Sequence, residues 1–175
     1  MEQSICFTWM DSPTGKLLLA ADDVGLRYVL FADGREPATP RPHWREDAAP
    51  LRETIRQLRA FFAGQLREFD LPLTPEGPAF HSRVWRELCN IPYGETISYG
   101  ELARRIGSPN AFRAVGRANG ANPIAIVIPC HRVIGSNGKL TGYGGGLPRK
   151  ELLLALERKQ MPLLLAASAA TTRGS

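Results

Sequence analysis

The chain has few of the residues from which disulfide-rich or metal-bound folds are built. Its 175 residues include three cysteines and three histidines. An odd number of cysteines without a dense spacing pattern argues against a disulfide framework and predicts a reducing compartment. The thiols at Cys6, Cys89 and Cys130 also lack the short spacing of zinc ligands. We therefore expect no metal site.

Long apolar runs are missing as well. The longest, from Met161 to Ala170, is too short to span a bilayer, which requires about 20 residues. The first residues, Met1-Glu2-Gln3, contain no basic patch followed by an apolar stretch, so the sequence predicts no signal peptide. Together these absences predict a soluble cytoplasmic protein that does not bind membranes.

Charge is abundant but unevenly distributed. The formal net charge is +5, yet residues 1–79 carry nine basic side chains against twelve acidic ones. Residues 80–160 carry twelve basic side chains against five acidic ones. A positive surface attracts phosphate backbones and speeds encounter with nucleic acids. The second half is therefore the candidate nucleic-acid-binding region, and a solvated basic face is the alternative.

The first third of the chain predicts a small sheet followed by a helix. Strand candidates, each bounded by turn residues, lie at 4–9, 16–21 and 26–31. Residues 36–50 hold four prolines and predict an extended loop. Apolar side chains then recur at helical spacing from Leu51 to Phe62, which predicts an amphipathic helix that Gly64 ends. Nothing in residues 1–75 suggests chemistry, so we expect a scaffold.

The pattern changes after residues 72–78, which contain three prolines and a glycine and mark a boundary. Apolar spacing then predicts a helix over 80–88, with Trp85 as a core anchor. Ser98-Tyr99-Gly100-Glu101 has the form of a capping box, in which serine caps the helix and glutamate reaches back to the serine. A turn and a further helix over 111–119 follow, and this order predicts a helix-turn-helix.

The second helix of this motif is rich in small residues. Its nearly bare side is made of Ala111, Ala114, Gly116 and Ala118. Arg113 and Arg117 project from it. Small side chains let a helix lie close to the minor groove, which is largely blind to sequence and suits a protein that inspects every position. Ordinary helix packing through small residues is the alternative.

Cys130 stands in the sequence Ile128-Pro129-Cys130-His131-Arg132-Val133. A thiol is a poor nucleophile until it loses its proton, and an adjacent imidazole can drive that loss. Asn122-Pro123 precedes this motif, and the glycine-rich segment 142–146 follows it. By itself, the glycine segment could equally be a flexible loop.

The block from Asn122-Pro123 through Pro129-Cys130-His131-Arg132 to Gly144-Gly145-Gly146-Leu147 resembles the O6-alkylguanine-DNA alkyltransferases. These DNA repair proteins move an alkyl group from guanine onto their own cysteine, and the resemblance covers roughly residues 80–158. It implies an α/β protein with a ribonuclease-H-like sheet-plus-helix domain at 1–77. It also implies a helical domain with a winged-helix-like helix-turn-helix at 78–160, and leaves 161–175 as a flexible tail.

The resemblance implies the chemistry of the site. Cys130 would be the nucleophile of a single-turnover reaction, and His131 would take its proton through a water. Glu157 would fix the imidazole from the last turn of a helix over 149–158, as in a triad. Asn122 would brace the turn under the cysteine. Tyr99 would donate to a ring nitrogen of the base, and no cofactor is implied because the lesion is the alkyl donor.

The resemblance also implies how DNA and guanine are bound. Arg113 would enter the duplex where the base has left, and Tyr99 would push against the neighbouring phosphate. Other implied DNA contacts are Gly100, Ser108, Ala114, Gly116, Arg117 and Ser136. The carbonyls of Cys130 and Val133 would accept from the guanine amine, the Gly144 N–H would donate to the alkylated oxygen, and Tyr143 would wall the pocket.

The implied partner is double-stranded DNA that contains O6-alkylguanine, bound by a protein that is a monomer in solution. Activity on O4-alkylthymine and cooperative binding on DNA stay open. Gly144, Gly145 and Gly146 carry no side chains, so we expect the pocket rim to admit groups as large as benzyl. Two alternatives remain, a DNA-binding regulator and a cysteine hydrolase. Neighbouring residues in a strand point to opposite faces, which makes a Cys130–His131 hydrolase pair awkward.

Overall fold

The computed structural model describes residues 3–158. Residues 1–2 and 159–175, and with them the tail predicted at 161–175, lie outside the described part of the chain. Among the described residues, no helix combines the length and the apolar character that crossing a bilayer requires.

The first half of the chain forms a four-stranded sheet. Its strands are β1 (Cys6–Met10), β2 (Leu17–Ala21), β3 (Leu26–Phe31) and β4 (Arg45–Glu46). Their spatial order is β3-β2-β1-β4, and only the short β1–β4 pairing is parallel. The three strands predicted from the apolar patterns are confirmed. β2 is buried along its whole length because it lies inside the sheet and both faces are covered.

One helix, α1 (Arg52–Phe62), covers a face of this sheet. Its Leu58 and Phe61 are fully buried in the same core as β2 and β3. Gly64 follows the helix with φ of +76°, the left-handed conformation that glycine adopts without steric cost. The predicted amphipathic helix and its end are confirmed. A smaller apolar cluster around Phe7 and Trp44 covers the other face.

The second half is mainly helical. Its helices are α2 (Ala79–Leu88), α3 (Tyr99–Arg105), α4 (Phe112–Gly120) and α5 (residues 147–158). Two short parallel strands, β5 (Ile97–Ser98) and β6 (Val133–Ile134), lie beside α3. α3, the turn after it and α4 form the predicted helix-turn-helix. Helix α5 begins two residues earlier than the sequence predicted.

The start of α3 is capped, but not by the full capping box. The Ser98 hydroxyl accepts from the Glu101 N–H at 3.0 Å, as predicted. The Glu101 carboxylate does not serve the cap in return, because Arg104 and Arg105 one turn further along hold it at 2.8 Å and 3.2 Å. Two nearby guanidinium groups outcompete one backbone amide for this carboxylate.

The two halves share one continuous core. Val29 in β3 donates its N–H to the Pro123 carbonyl at 3.0 Å, and Ala125 donates back to the Val29 carbonyl at 3.0 Å. Arg149 in α5 lies over the Phe31 ring, with 4.9 Å between its guanidinium carbon and the ring centre, and pairs with Asp33. The segment leading to Cys130 is therefore anchored on the edge of the first sheet.

Candidate active site and nucleic-acid interface

Cys130 is presented by a chain segment with two tight turns. Ile126 has φ of +72°, and the Val127 N–H donates across it to the Ala125 carbonyl at 2.8 Å. This is the rare form of the γ-turn, which is strained for a β-branched residue. A second three-residue turn, centred on Pro129, closes with the Cys130 N–H on the Ile128 carbonyl at 2.8 Å.

The cysteine itself begins a 3₁₀ turn, Cys130–Arg132. The expectation that Cys130 and His131 lie in a strand, with side chains on opposite faces, is therefore wrong. The two prolines at 123 and 129 and the γ-turns prevent a regular strand from forming over residues 124–130.

Asn122 stabilises this segment. Its side-chain Nδ2 donates to the Ile128 carbonyl at 2.8 Å, and its Oδ1 accepts from the Ile124 N–H at 3.0 Å. One amide side chain thus bridges the start and the end of the loop under Cys130. This geometry agrees with the bracing position expected for Asn122.

Cys130 is 5% exposed and lines a cavity. Burial raises the pKa of the thiol, while a hydrogen bond with Asn122 and the positive charge of Lys150 act in the opposite direction. The resting group is a protonated thiol, since the cost of burying a thiolate is the largest of these effects. A nearby base is therefore needed before the sulfur can attack.

The histidine that follows Cys130 belongs to a buried polar cluster with Glu157 and Arg132. His131 Nε2 lies 2.8 Å from Glu157 Oε1. Arg132 donates from Nη2 to the same oxygen at 2.7 Å and from Nε to both carboxylate oxygens. Gly94 N–H completes the set at 3.2 Å from Glu157 Oε2. Each of the donors satisfies a carboxylate that would otherwise be costly to bury.

These contacts determine the protonation states of the cluster. Burial raises the pKa of Glu157, but its hydrogen bonds and charge interactions with His131 and Arg132 outweigh burial and lower the pKa to about 2. Burial lowers the pKa of His131, against the opposing effect of Glu157. A neutral imidazole beside an ionised carboxylate carries its proton on Nε2. Nδ1, which has no hydrogen-bond partner among the described residues, is then the basic nitrogen.

We expect the protein to lose stability in acid because of this cluster. The folded-state pKa of Glu157, about 2, lies below its ordinary value of 4.5, so its stabilising contribution is present above pH 4.5 and lost as the pH falls towards 2. His131, whose folded pKa is also lowered from 6.5, adds a loss that begins below pH 6.5. Denaturant unfolding between pH 7 and pH 3 should show this decline. A Glu157→Gln variant should show a flatter profile, and an equally steep one would contradict the assignment.

Lys150 is a further buried group at this site. The residue is fully buried in α5, and its Nζ donates to the Thr141 carbonyl at 2.9 Å. Tyr99 donates its hydroxyl to the same carbonyl at 3.1 Å, and Lys150 Nζ lies 5.9 Å from the Tyr99 ring centre. Lys150 and Tyr99 therefore both anchor the Thr141 carbonyl, directly before the glycine-rich segment 142–146. Burial also raises the pKa of Tyr99, so its hydroxyl keeps its proton.

A cavity of about 890 Å³ opens above Cys130. The second half contributes Tyr99, Asn119, Tyr143 and Gly144 to its lining. The first half contributes residues from β3 and the following loop, among them Tyr28, Arg35 and Trp44. The sequence predicted only a scaffold for residues 1–75, whereas the structure adds one wall of the cavity.

The carbonyl of Cys130, expected to accept from the guanine amine, already accepts two hydrogen bonds. One comes from the Val133 N–H, and the other from Asn119 Nδ2 at 3.3 Å. Because a carbonyl has two lone pairs, a base amine would have to displace one of these donors, and the Asn119 bond, at 3.3 Å, is longer than is usual for an N–H donor. We therefore expect the guanine amine to replace Asn119 Nδ2 as a donor to the Cys130 carbonyl. Val133 is fully buried at the start of β6.

The three glycines of the expected pocket rim are not equivalent. A Cβ at Gly145 would lie 2.6 Å from the Phe31 ring, so Gly145 is needed for packing and offers no room. Gly146 has φ of +89°, a conformation that favours glycine. Gly144 is exposed and has open space around its Cβ position. The expected room at the rim is therefore confined to Gly144, beside the buried ring of Tyr143.

A bulky side chain at Gly144 should therefore select against large alkyl groups. We expect Gly144→Phe to slow reaction with O6-benzylguanine about tenfold and to change reaction with O6-methylguanine in DNA less than threefold. Gly144→Ala, which adds little volume, is the matched control and should retain both rates. Second-order rates of product formation on the two substrates provide the measurement. Equal losses on both would mean that Gly144 serves loop geometry instead.

The surface of α4 carries the predicted DNA contacts. Arg113 and Arg117 are exposed, whereas Ala114 and Gly116 are half-buried next to the α3 side. A Cβ at Gly116 would lie 3.9 Å from the Tyr99 ring, so α4 packs directly over that tyrosine. Ala118 does not belong to the bare side, because it is buried and its carbonyl accepts from the Trp85 indole at 2.8 Å. Trp85 is the predicted core anchor.

The remaining predicted contacts lie around the helix-turn-helix. Gly100 is half-buried in the first turn of α3, and Ser108 is half-buried in the turn before α4. Ser136 is exposed at the tip of a tight loop that closes where the Gly135 N–H meets the Lys139 carbonyl at 2.9 Å. This loop follows directly after β6.

Sequence reasoning missed three residues at the site: Arg132, Lys150 and Asn119. Arg132 is part of the cysteine motif, but a single sequence does not show that its side chain is only 7% exposed. Nor does it show that the guanidinium binds both oxygens of a glutamate 25 residues away. Lys150 and Asn119 have no local signal at all. Within residues 3–158, no cluster of three or more His, Cys, Asp or Glu side chains is arranged to hold a metal ion.

Comparison with known families gives matches over almost the whole described chain. The ribonuclease-like domain of 6-O-methylguanine DNA methyltransferase matches residues 5–75, and the DNA binding domain of the same family matches residues 79–159. The methylated-DNA–protein-cysteine methyltransferase of Methanosarcina acetivorans is 56% identical over 147 residues, which cover 84% of this chain and 94% of that protein. The protein of that name from Mycolicibacterium paratuberculosis is 56% identical over 157 residues, 89% of this chain and 94% of its own length.

Solved structures agree. The crystal structure of Mycobacterium tuberculosis OGT in complex with DNA matches with a TM-score of 0.83 and 51% identity, covering 89% of this chain and 94% of that one. The O6-methylguanine-DNA methyltransferase of Pyrococcus kodakaraensis shares the fold, with a TM-score of 0.61 at 22% identity over 87% of this chain and 98% of that one. The two-domain architecture expected from the cysteine motif is confirmed.

Proposed function

Because this chain belongs to the 6-O-methylguanine DNA methyltransferase family, we propose that it repairs DNA by moving the alkyl group of O6-alkylguanine onto its own Cys130. The observation that carries the assignment of the nucleophile is the buried thiol that lines the cavity, followed in the chain by a histidine that an ionised glutamate holds. The reaction needs no cofactor, since the lesion supplies the group that is transferred.

The first step moves a proton. His131 Nδ1 takes the Cys130 proton through one water molecule, and the imidazolium that forms is stabilised by Glu157 at 2.8 Å from Nε2. Arg132 keeps this carboxylate ionised and fixed in place. The resting thiol and imidazole are both neutral, so charge separates only when the substrate is present.

The second step is an in-line displacement at the alkyl carbon. The thiolate forms the S–C bond as the C–O bond breaks, and the bonding electrons leave with the guanine oxygen. Guanine needs a proton to leave as a neutral base, and Tyr99 is the donor that we propose. Its hydroxyl currently serves the Thr141 carbonyl at 3.1 Å, so it must turn from the loop to the base.

Guanine O6 is out of reach of Cys130 while the base is stacked, so the nucleotide must leave the helix. We propose that α4 lies in the minor groove, that Arg113 fills the vacated position and that Arg117 contacts phosphate. The exposed arginines and the small residues between them support this arrangement. We also propose that the protein acts as a monomer in the cytoplasm, with access to the chromosome, and that domains 1–77 and 78–160 divide the scaffold from the chemistry.

Arg113→Ala should separate base extrusion from chemistry. We expect repair of O6-methylguanine in duplex DNA to slow about a hundredfold, because nothing fills the gap, while reaction with free O6-benzylguanine is unchanged. The duplex defect should shrink when the lesion lies opposite a mismatch, where extrusion costs less. Arg117→Ala is the matched control, since it should weaken binding generally and lower the salt slope of affinity by about 1. Equal losses on free base and duplex would contradict the assignment to Arg113.

The overall reaction is tested by incubation with an oligonucleotide that carries labelled O6-methylguanine. We expect one label per protein molecule, retained on the chain, and a plateau at one equivalent. Continued turnover would indicate a hydrolase, and binding without label transfer would indicate a regulator of DNA. The same assay with O4-methylthymine in place of O6-methylguanine tests whether that lesion is repaired. Binding measured at increasing protein density on DNA tests whether binding is cooperative.

A further inference from the structure

Phe112 is an unusual side chain for the surface of this protein. It is 52% exposed at the first position of α4. The other large apolar side chains that are exposed in the described part of the chain are Val24, Leu147 and Leu152. Phe112 is the aromatic member of this set, and it lies on the helix proposed to contact DNA.

Its neighbours place it on the proposed DNA-facing side. Arg113 follows directly, with 5.9 Å between its guanidinium carbon and the Phe112 ring centre. Gly116 and Gly120, four and eight residues further along, continue the same stripe of the helix. Space is open around the Cβ position of Gly120, and Gly116 meets only the Tyr99 ring. No side chain projects from α4 at the two glycines, whereas Phe112 and Arg113 project from it at its first turn.

We propose that Phe112 is an aromatic wedge that enters the base stack beside the extruded nucleotide, next to Arg113. Apolar side chains inserted from the minor groove partly unstack a base step and bend the duplex. Within residues 3–158 no other aromatic ring packs against Phe112, whereas a base step offers two flat apolar faces. The inference rests on the proposed minor-groove docking of α4 and adds a second residue, of different chemistry, to the opening of the duplex.

The wedge predicts a specific set of effects for Phe112→Ala. Repair of duplex O6-methylguanine should slow about tenfold, while reaction with free O6-benzylguanine stays unchanged, which shows that the variant is folded. Phe112→Leu should recover part of the rate, since it remains an apolar wedge. Val24→Ala, which removes an exposed apolar side chain between β2 and β3, is the matched control and should behave as wild type. The salt slope of affinity should not change, because a phenyl ring neutralises no phosphate.

A fluorescent base locates the wedge directly. With 2-aminopurine beside the lesion, wild-type protein should raise the fluorescence as the base unstacks, and Phe112→Ala should reduce the rise. The same comparison in an Arg113→Ala background shows whether the Phe112 ring contacts DNA itself or acts only by positioning Arg113. A remaining effect of Phe112 shows that the ring contacts DNA itself. Loss of the effect would overturn the proposal, because Phe112 would then act only by holding the guanidinium.

Two further results would also overturn it. Unchanged duplex repair by Phe112→Ala would show that the ring stays outside the stack. Equal losses on free O6-benzylguanine and on duplex would show that the substitution damages the pocket. If wild-type protein repaired duplex DNA with no 2-aminopurine signal at either neighbouring position, the docking and extrusion under "Proposed function" would be wrong, and the wedge with them.

Discussion

Cys130→Ala should end alkyl transfer altogether while duplex binding persists. The cavity reaches the Cys130 side chain, whereas Cys6 lies in β1 and Cys89 at the end of α2, and neither lines it. Among the described residues, Cys130 is therefore the thiol that lies in the cavity proposed to receive the extruded base. The loss should reach the background rate, because a methyl group cannot accept the alkyl carbon.

Intact-mass and peptide-mass spectra after incubation with the lesion-bearing duplex measure this. Wild-type protein should gain one alkyl group on the peptide with Cys130, and Cys130→Ala should gain none. Binding titrations with the same duplex provide the control for folding. An adduct on Cys6 or Cys89 in either protein would contradict the assignment of the nucleophile.

Glu157→Gln should have the second largest effect, a loss of about 10² to 10⁴ in the rate on free O6-benzylguanine and duplex alike. A glutamine can donate to His131 Nε2 and so turn the imidazole to the tautomer that carries its proton on Nδ1, the nitrogen needed as base. It also removes the negative charge that stabilises the imidazolium. Arg132 would keep its bond to the Ile91 carbonyl at 2.7 Å but lose its ionic partner.

Because a buried charge left without its partner costs about 3–5 kcal/mol, folding must be measured beside the rate. Arg132→Lys, which keeps a positive charge but loses the bidentate contact, serves as the matched variant. We expect it to lose stability with less loss of rate. A folded Glu157→Gln protein that reacts at the wild-type rate would show that His131 does not act through this carboxylate.

Local pattern was enough for most of the fold. The three long strands, α1 and the helix-turn-helix follow from periodicity and turn residues, because each of these elements buries one face and is bounded by glycine, proline or a cap. The cysteine motif led to the family through its resemblance. The element around Cys130 was mistaken for a strand, since apolar runs such as 124–128 do not distinguish a strand from a buried loop.

The rest of the site depends on contacts that no local pattern encodes. A lysine in the first turn of a helix is ordinarily expected to be exposed, yet Lys150 is fully buried and donates to the Thr141 carbonyl. Glu157 could be assigned only through the resemblance, because its partners lie 25 and 26 residues away. Gly145 looked like free space and is instead filled by Phe31 from the other half of the chain.

Because the first sheet contributes one wall of the cavity, the shape of the cavity can change independently of the reacting groups. In the proposed mechanism, the atoms that move protons and form the new bond belong to Tyr99 and to residues 122–157, whereas Tyr28, Arg35 and Trp44 line the same cavity from the first half of the chain. Substitutions in the loop after β3 can therefore alter which adducts fit without disturbing the reacting groups. Substitutions in the first half of the chain would thus adapt the protein to the adducts of other alkylating agents, while the reacting residues of the second half stay unchanged.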